Sequence, residues 1–331
     1  MKPSLTIAIP TYNRAGLLRR ALSSALAQTS EEIEIIVSDN GSSDETKDLL
    51  AQYSDSRLRK FRHDVTMSRA EHGTFLFHQI KTEVVLILSD DDYLEPEFSS
   101  EVIKLFNEHP EVSFVYTGYI EHYDDAILPA LAGPHIESPL DFFAAYYAGH
   151  RNVSWSACVT RVEDILECGP QPSNRIIGDM FFWSRIGFKG PVGCVPRALS
   201  HYTVLRPGGD NESRTVPILT WGKEVKLLTE EVMRNISRTG ASVTFQNAIK
   251  ADMERYTARS VANQFIWARI SGMSRLDCLS CLPASLHFNG WAAGSVIRVC
   301  AALVLPRLLL RYLVVSAASR MALKRTAVSV R

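Results

Sequence analysis

Leu5, Ile7 and Ile9 alternate with small or polar residues and stop at Pro10, the period-two pattern of a strand. After the polar loop Thr11 to Arg14, Leu17, Leu18, Ala21, Leu22, Ala25 and Leu26 recur at helical spacing, with Asn13 as the expected cap. A second strand, Ile33 to Ser38, runs into Asp39-Asn40-Gly41-Ser42-Ser43-Asp44, where Gly41 marks a turn and Ser42 with Glu45 matches a capping box. A short strand near 58–61 and a helix near 70–81 lead to Val84-Val85-Leu86-Ile87-Leu88. That run is apolar on both faces, as a central strand covered on both sides must be. It ends in Asp90-Asp91-Asp92.

The alternation of strands and helices over the first ninety residues predicts a parallel sheet with right-handed crossovers. The polar loops 11–14, 39–44 and 89–93 then share the carboxyl edge of that sheet, where open α/β folds bind ligands. If the chain stays extended, Asp90 and Asp92 project together and Asp91 opposes them. Two such carboxylates suit a hard divalent ion; the bland alternative is a solvated acidic turn. The absence of a Gly-x-Gly-x-x-Gly or P-loop motif disfavours dinucleotide enzymes and kinases of those types.

Further elements follow: a helix opened by Pro96, a strand at Val112 to Thr117, and a helix from Ser138 that Gly149 ends. Val153 to Ala157 reads as another strand. Trp155 and Trp183 are either core aromatics or platforms for a sugar face, and core is the commoner use. From Trp221 to about Met273 the pattern is helical with a break at Gly240.

At 331 residues, 46% hydrophobic and 22% charged, the chain is globular and long enough for one large or two unequal units. Its net charge of zero hides an asymmetry. No Asp or Glu follows Asp277, whereas seven of the 36 basic residues do, leaving 29 bases against 36 acids before that point. The basic tail implies an anionic partner. The six cysteines lack zinc-finger spacing and are read as reduced thiols; the first ten residues read as a strand rather than a signal peptide. A cytoplasmic chain is expected, and no nucleic-acid partner.

Pro10-Thr11-Tyr12-Asn13-Arg14, then Ile36-Val37-Ser38-Asp39-Asn40-Gly41-Ser42-Ser43-Asp44, then Leu88-Ser89-Asp90-Asp91-Asp92 resembles, in order and spacing, the signature of family 2 glycosyltransferases. The resemblance covers roughly the first 120 residues. It implies a Rossmann-like nucleotide-diphospho-sugar transferase (GT-A) fold, an α/β fold with a mostly parallel central sheet. The activity it implies is transfer from a nucleotide-diphosphate sugar with inversion, assisted by Mn²⁺ or Mg²⁺. By the same resemblance, Pro10, Thr11, Asn13 and Arg14 line the nucleotide pocket, Asp39 reads base or ribose, and Asp90 to Asp92 hold ribose and metal. Asp92 is assigned to the metal, with Asp90 or Asp91 on ribose or a metal-bound water. Asp44 is read as a helix cap.

Inversion needs a base across the sugar from the diphosphate. Asn174 to Arg185 resembles the family segment in which an acid opens a helix after glycine, with the common Glu-Asp pair reduced here to Gly178-Asp179. Asp179 is therefore the candidate base, and helix capping is its structural alternative. His201 to Ser213 is a polar loop long enough for a lid, in which Arg206 would grip the diphosphate. His201 is a candidate third metal ligand or, more plainly, a structural histidine. Gln264-Phe265-Ile266-Trp267-Ala268-Arg269 does not match the Gln-x-x-Arg-Trp of processive relatives, so addition of a single sugar is expected.

The division expected is a catalytic domain at 1–215, with a nucleotide-sugar half at 1–120 and an acceptor half at 121–215, followed by a helical region at 216–331. Within the latter, the tail 291–325 is apolar but repeatedly interrupted by arginine, and no run reaches the roughly 20 apolar residues that span a bilayer. It predicts helices lying on an anionic membrane surface, broken at Pro306, with a buried oligomer contact as the alternative. Together these predict a peripheral enzyme on the cytoplasmic face of the inner membrane. It would add one sugar to a lipid-linked oligosaccharide or other surface-glycan precursor, with relatives leaning toward O-antigen-type polysaccharide and deoxysugar transfer. The rivals are a non-catalytic glycan-binding scaffold of the same fold and a sugar nucleotidyltransferase, whose Gly-rich basic loop the N-terminus lacks.

Overall fold

A computed structural model describes residues 4–123, 126–129, 133–168, 177–205, 217–286, 293–314 and 316–317. The first half alternates strictly: β1 (Leu5–Thr11), α1 (Ala15–Leu26), β2 (Ile33–Asp39), α2 (Thr46–Ala51), β3 (Leu58–Arg62), α3 (Arg69–Gln79) and β4 (Val84–Ile87). After these come β5 (Tyr93–Leu94), α4 (Phe98–Glu108), β6 (Phe114–Tyr123), β7 (Ala126–Pro129), β8 (Ile136–Glu137), α5 (Pro139–Ala148), β9 (Cys158–Arg161), α6 (Val162–Cys168), α7 (Gly178–Ile186) and β10 (Val192–Leu205). The helical region that follows holds α8 (Ile218–Arg238), α9 (Val243–Ile270), α10 (Arg275–Ser285) and α11 (Ala293–Val304), with further helical residues from 307.

The strands form one sheet in the order β3-β2-β1-β4-β9-β6-β10-β5, with β7 added beside β6 and β8 beside β10. Neighbours β3, β2, β1 and β4 are parallel, β9 runs against β4 and β6, and β6 is parallel to β10. The carboxyl ends of β1, β2, β4 and β6 therefore share one edge. Side-chain alternation sends Leu5, Ile7, Ile9, Val84, Leu86 and Leu88 into the core beneath α1 and α4, and Ala8, Val85 and Ile87 into the core beneath α3, α5 and α7. This double burial is what the unbroken apolar run of β4 predicts.

Several local expectations shift. Asn13 does not cap α1; it adopts φ 53°, a left-handed conformation that asparagine tolerates, and Arg14 precedes the helix. No capping box forms at Ser42; Asp44 instead accepts from the Thr46 backbone N–H at 3.1 Å and from the Ala15 N–H at 2.9 Å, so one carboxylate closes the starts of two helices. Residues 155–157 form a 3-10 turn rather than the end of a strand. Trp183 is buried and packs beside Trp155, as core aromatics do.

Helices α8 and α9 pack against each other across the turn at Gly240, and α9 packs on α5 as well as on α11. Phe265, Val261 and Ala268 of α9 bury the inner face of α11 through Val299 and Ala302. Arg269 and Arg275 donate to the carbonyl oxygens of Ala302 (3.2 Å) and Val304 (2.8 Å), satisfying acceptors that a helix end leaves open. Helix α11 stops at Val304 and helical structure resumes at 307, the break expected at Pro306.

Gly118 sits where β10 bulges between Val195 and Ala198, and an added Cβ would lie 2.8 Å from the backbone oxygen of Arg197. Backbone cannot swing aside as a side chain can, so Gly118→Ala is expected to destabilise the protein by about 1–3 kcal/mol in urea unfolding. A change near zero would mean that the two strands separate freely there.

Candidate active site

The three edge loops are tied to one another by side chains rather than merely adjacent. From loop 11–14 to loop 39–44, the Asn13 N–H donates to Ser42 Oγ at 2.8 Å and the Ser43 N–H donates to Asn13 Oδ1 at 2.7 Å. From loop 11–14 to loop 89–93, Thr11 Oγ1 donates to Asp90 Oδ2 at 2.8 Å and Arg14 Nη1 to Asp90 Oδ1 at 3.0 Å. Asp90 is thus the link between the ends of β1 and β4.

Asp92 makes a second link, in the opposite direction. Ser156 Oγ donates to its Oδ2 at 2.6 Å and the Thr203 N–H to its Oδ1 at 2.8 Å, joining β4 to the turn before β9 and to β10. The residue is 1% exposed, and burial pushes its carboxyl up to about 7 against those two donors, which favour the charge. The projected pairing of Asp90 with Asp92 on one side fails, because the chain is not extended. The Asp92 N–H bonds to the Ser89 carbonyl at 3.1 Å, closing a turn over the triplet. Asp91 lies at the tip, half-buried; Arg20 of α1 donates to its carbonyl at 2.6 Å while stacking on Tyr93.

Asp39 is wholly buried: its Oδ1 accepts from the Ser42 N–H at 2.9 Å and its Oδ2 from the Arg62 guanidinium. Arg62 was not anticipated, although the parallel pairing of β2 with β3 puts it directly opposite Asp39 at the ends of the two strands. Strand register was the signal that could have found it. Ser156, Thr203 and Arg20 carried no comparable signal.

His201 lies on β10 opposite Tyr93, whose ring it stacks at 4.1 Å. Both its nitrogens are engaged, Nδ1 with His122 at 2.9 Å and Nε2 with Glu95 at 2.8 Å. Arg206 falls outside the described residues. Pro10 is the half-buried residue of β1 just before the buried Thr11 that ends the strand.

Asp179, the second residue of α7, accepts from the Met180 N–H at 2.8 Å. Protein crowded around it raises its carboxyl to about 6, although part of its surface remains open. Its charge in turn reaches Tyr146 and Tyr256. Such a carboxylate is ionised at neutral pH and more basic than an exposed aspartate.

For a divalent cation the donors at this edge are all carboxylate oxygens, the set that Mg²⁺ and Mn²⁺ take. Asp90 and Asp92 each use two acceptor positions internally and keep further lone pairs on the same oxygens, so each can offer an oxygen to such an ion, although the two carboxylates face different strands and do not form a preset pair. Among the described residues no three His, Cys, Asp or Glu side chains already converge as ligands. An ion held there would have to complete its shell from water or bound phosphates, as Mg²⁺ and Mn²⁺ commonly do.

Residues 6–147 match the family model Glycosyl transferase family 2. That match covers all three edge loops. An uncharacterized glycosyltransferase of Nostoc sp. is 30% identical over 122 residues, 36% of this chain and 36% of that protein. The GalNAc(5)-diNAcBac-PP-undecaprenol beta-1,3-glucosyltransferase of Campylobacter jejuni is 34% identical over 110 residues, 32% of this chain and 35% of that protein. The matched stretches span about a third of the length of these curated relatives. The mannosyltransferase PcManGT of Pyrobaculum calidifontis, solved with GDP-Man and Mn²⁺, superposes with a TM-score of 0.54 over 95% of this chain and 87% of that one, at 15% identity. At that identity the likeness speaks for the fold, an α/β GT-A architecture with a helical C-terminal region.

Removing the Asp90 carboxylate strands Thr11 and Arg14 and unties β1 from β4. Arg14 is about one-third exposed, so Asp90→Ala is expected to cost roughly 1–3 kcal/mol rather than the full value of a buried pair. Hydrogen exchange should accelerate at residues 11–14 more than elsewhere. Uniform acceleration would instead assign Asp90 to global stability.

Proposed function

We propose that this chain is an inverting glycosyltransferase that moves one sugar from a nucleotide-diphosphate donor to a hydroxyl of a lipid-linked oligosaccharide or surface-glycan precursor. The observation that carries the reading is the knitting of three family-matched loops around Asp90 at one sheet edge. Nucleotide-sugar transferases share that fold, and the Campylobacter relative is named for a diphospho-undecaprenol acceptor.

In this reading Pro10, Thr11, Asn13 and Arg14 shape the nucleotide wall, while Asp39, held by Arg62, fixes the loop that faces base or ribose. Asp92 and Asp90 would hold Mn²⁺ or Mg²⁺, which when bound neutralises charge on the leaving diphosphate. Asp91 lies at the ribose side, Arg206 grips the diphosphate, and His201 orders the Tyr93 side of the loop or adds a ligand. Asp179 takes the acceptor's proton as the acceptor oxygen bonds to the anomeric carbon and the bond to the diphosphate oxygen breaks.

The membrane reading rests on the C-terminal helices. Leu276 (77% exposed), Ile297 (67%), Leu308 (84%) and Tyr312 (66%) leave apolar surface uncovered next to basic residues, as an interfacial segment requires. No described helix is long and apolar enough to cross a membrane.

A panel of UDP-, GDP-, dTDP- and CDP-sugars with Mn²⁺, Mg²⁺ or EDTA should reveal one donor whose nucleotide is released only with metal. Absence of binding by every donor would favour a glycan-binding scaffold. Asp179→Asn should lower transfer by about 10²-fold or more while sparing donor affinity. In the native enzyme kcat/KM should fall as pH drops through about 6, where the carboxylate gains its proton. The sign for stability is opposite. A carboxyl raised from 3.8 to about 6 contributes stability present below pH 4 and lost as pH rises through 6, so Asp179→Asn should not destabilise the protein at pH 8. Ile297→Glu with Leu308→Glu should abolish flotation with phosphatidylglycerol vesicles. Retained flotation would refute the interfacial role.

A further inference from the structure

A second concavity opens on the same edge of the sheet, two strands along from β4. It has a volume of about 200 Å³, and β6 contributes Tyr119 and Glu121, α5 Tyr146, the following loop Arg151, and α9 Tyr256 and Arg259. The catalytic domain and the helical region build it jointly. The Tyr146 and Tyr256 hydroxyls meet at 3.3 Å across that seam, and both rings lie within reach of the Asp179 charge.

The two lining arginines differ. Arg151 is neutralised, with Nε and Nη2 on the two oxygens of Glu137 at 3.1 and 3.2 Å. Arg259 has no ion pair among the described residues. Its guanidinium lies 5.6 Å from the Tyr256 ring centre and against Gly149, where an added Cβ would stand 3.4 Å from Nη1. Gly149 also has φ 87°, so the close approach and the left-handed turn both suit glycine. Beyond it, Arg298 of α11 is half-buried; burial and the Arg259 cation together hold its guanidinium below the usual arginine range. Arg298 Nη1 spends one donor on the Gly294 carbonyl at 2.9 Å.

Both arginines are half-exposed on helices that pack through Val261 and Val299, and with no carboxylate pairing either among the described residues they give this seam a positive potential that an anion would relieve. Glu121 is the one acid among the lining residues, and with Asn152 it suits neutral hydroxyls rather than an anion. Next to Arg298, Ile297 is exposed on the apolar surface of α11.

We propose that this pocket seats the acceptor by its phosphate: the phosphate ester of a lipid-carried saccharide lies on Arg259 backed by Arg298, with its sugar against Tyr119, Glu121 and Asn152. The hydrocarbon leaves along α11. This rests on the glycosyl-transfer reading of the neighbouring edge, and it gives that reading an acceptor class.

The test uses the full chain in EDTA, with farnesyl diphosphate, farnesol and inorganic pyrophosphate as probes in calorimetric titrations. Farnesyl diphosphate should bind more tightly than either of the others. Arg259→Gln should weaken it about tenfold or more, the scale of one lost hydrogen bond to a charged group. Arg298→Glu, which sets a competing carboxylate beside Arg259, should do the same, and Arg259→Lys should lie between, each variant keeping the wild-type unfolding midpoint. Unchanged affinity in all three variants would overturn the proposal. So would an equal loss in Arg14→Ala, which would put the anion in the donor loops. Pyrophosphate binding as tightly as farnesyl diphosphate would overturn the lipid source. Failure of the transferase reading is separate, and would appear as no nucleotide sugar bound by the wild-type protein with Mn²⁺.

Discussion

A single buried carboxylate, Asp92, fastens the end of β4 to the turn before β9 and to β10. β4 ends at the edge where β1 and β2 end, yet β9 beside it runs the other way and β10 arrives from more than a hundred residues later. Ser156 and the Thr203 N–H hold that carboxylate from two different elements. Burial raises the cost of its charge, and two donors offset part of that cost. A cation at the same edge would favour the charged form further.

Asp90 and Asp92 divide this work by pointing apart. The turn at Ser89 to Asp92 lets neighbouring acids serve different strands: Asp90 reaches back to β1 and Asp92 across to β10. An extended triplet would have crowded like charges on one side with nothing to hold the loops together. Loop 39–44 is organised on the same principle, with Asp39 bound by Arg62 and by its own turn. The edge is therefore pre-ordered by internal hydrogen bonds before any donor arrives, which reduces the ordering that binding must supply.

The strands of the donor half were legible because burial on two faces demands an unbroken apolar run, and that demand is local. The acidic loops were legible as a place and as a resemblance. Their internal geometry was not, since period-two alternation holds only while the chain stays extended. Asp39 facing Arg62 follows from strand register and was within reach. The Ser156 and Thr203 contacts to Asp92 span 64 and 111 residues, and no spacing encodes them. The 3-10 turn at 155–157 defeated the strand reading because a short apolar-polar run fits either.

The same limit governs the helical region. Amphipathic spacing located α8 and α9 and the break at Gly240, but which face meets which neighbour is a tertiary fact. The structure turns the inner face of α11 against Phe265 and spends Arg307 on the Gly272 carbonyl, so the basic tail is neither wholly snorkelling nor wholly buried. What remains outward includes Ile297, Leu308 and Tyr312, and Arg298 lies half-buried beside Arg259. Packing alone gives no reason for two half-exposed cations to sit side by side there. Their retention on either side of one seam makes sense if the seam meets an anion, and the nearest apolar surface then explains why that anion would carry a lipid.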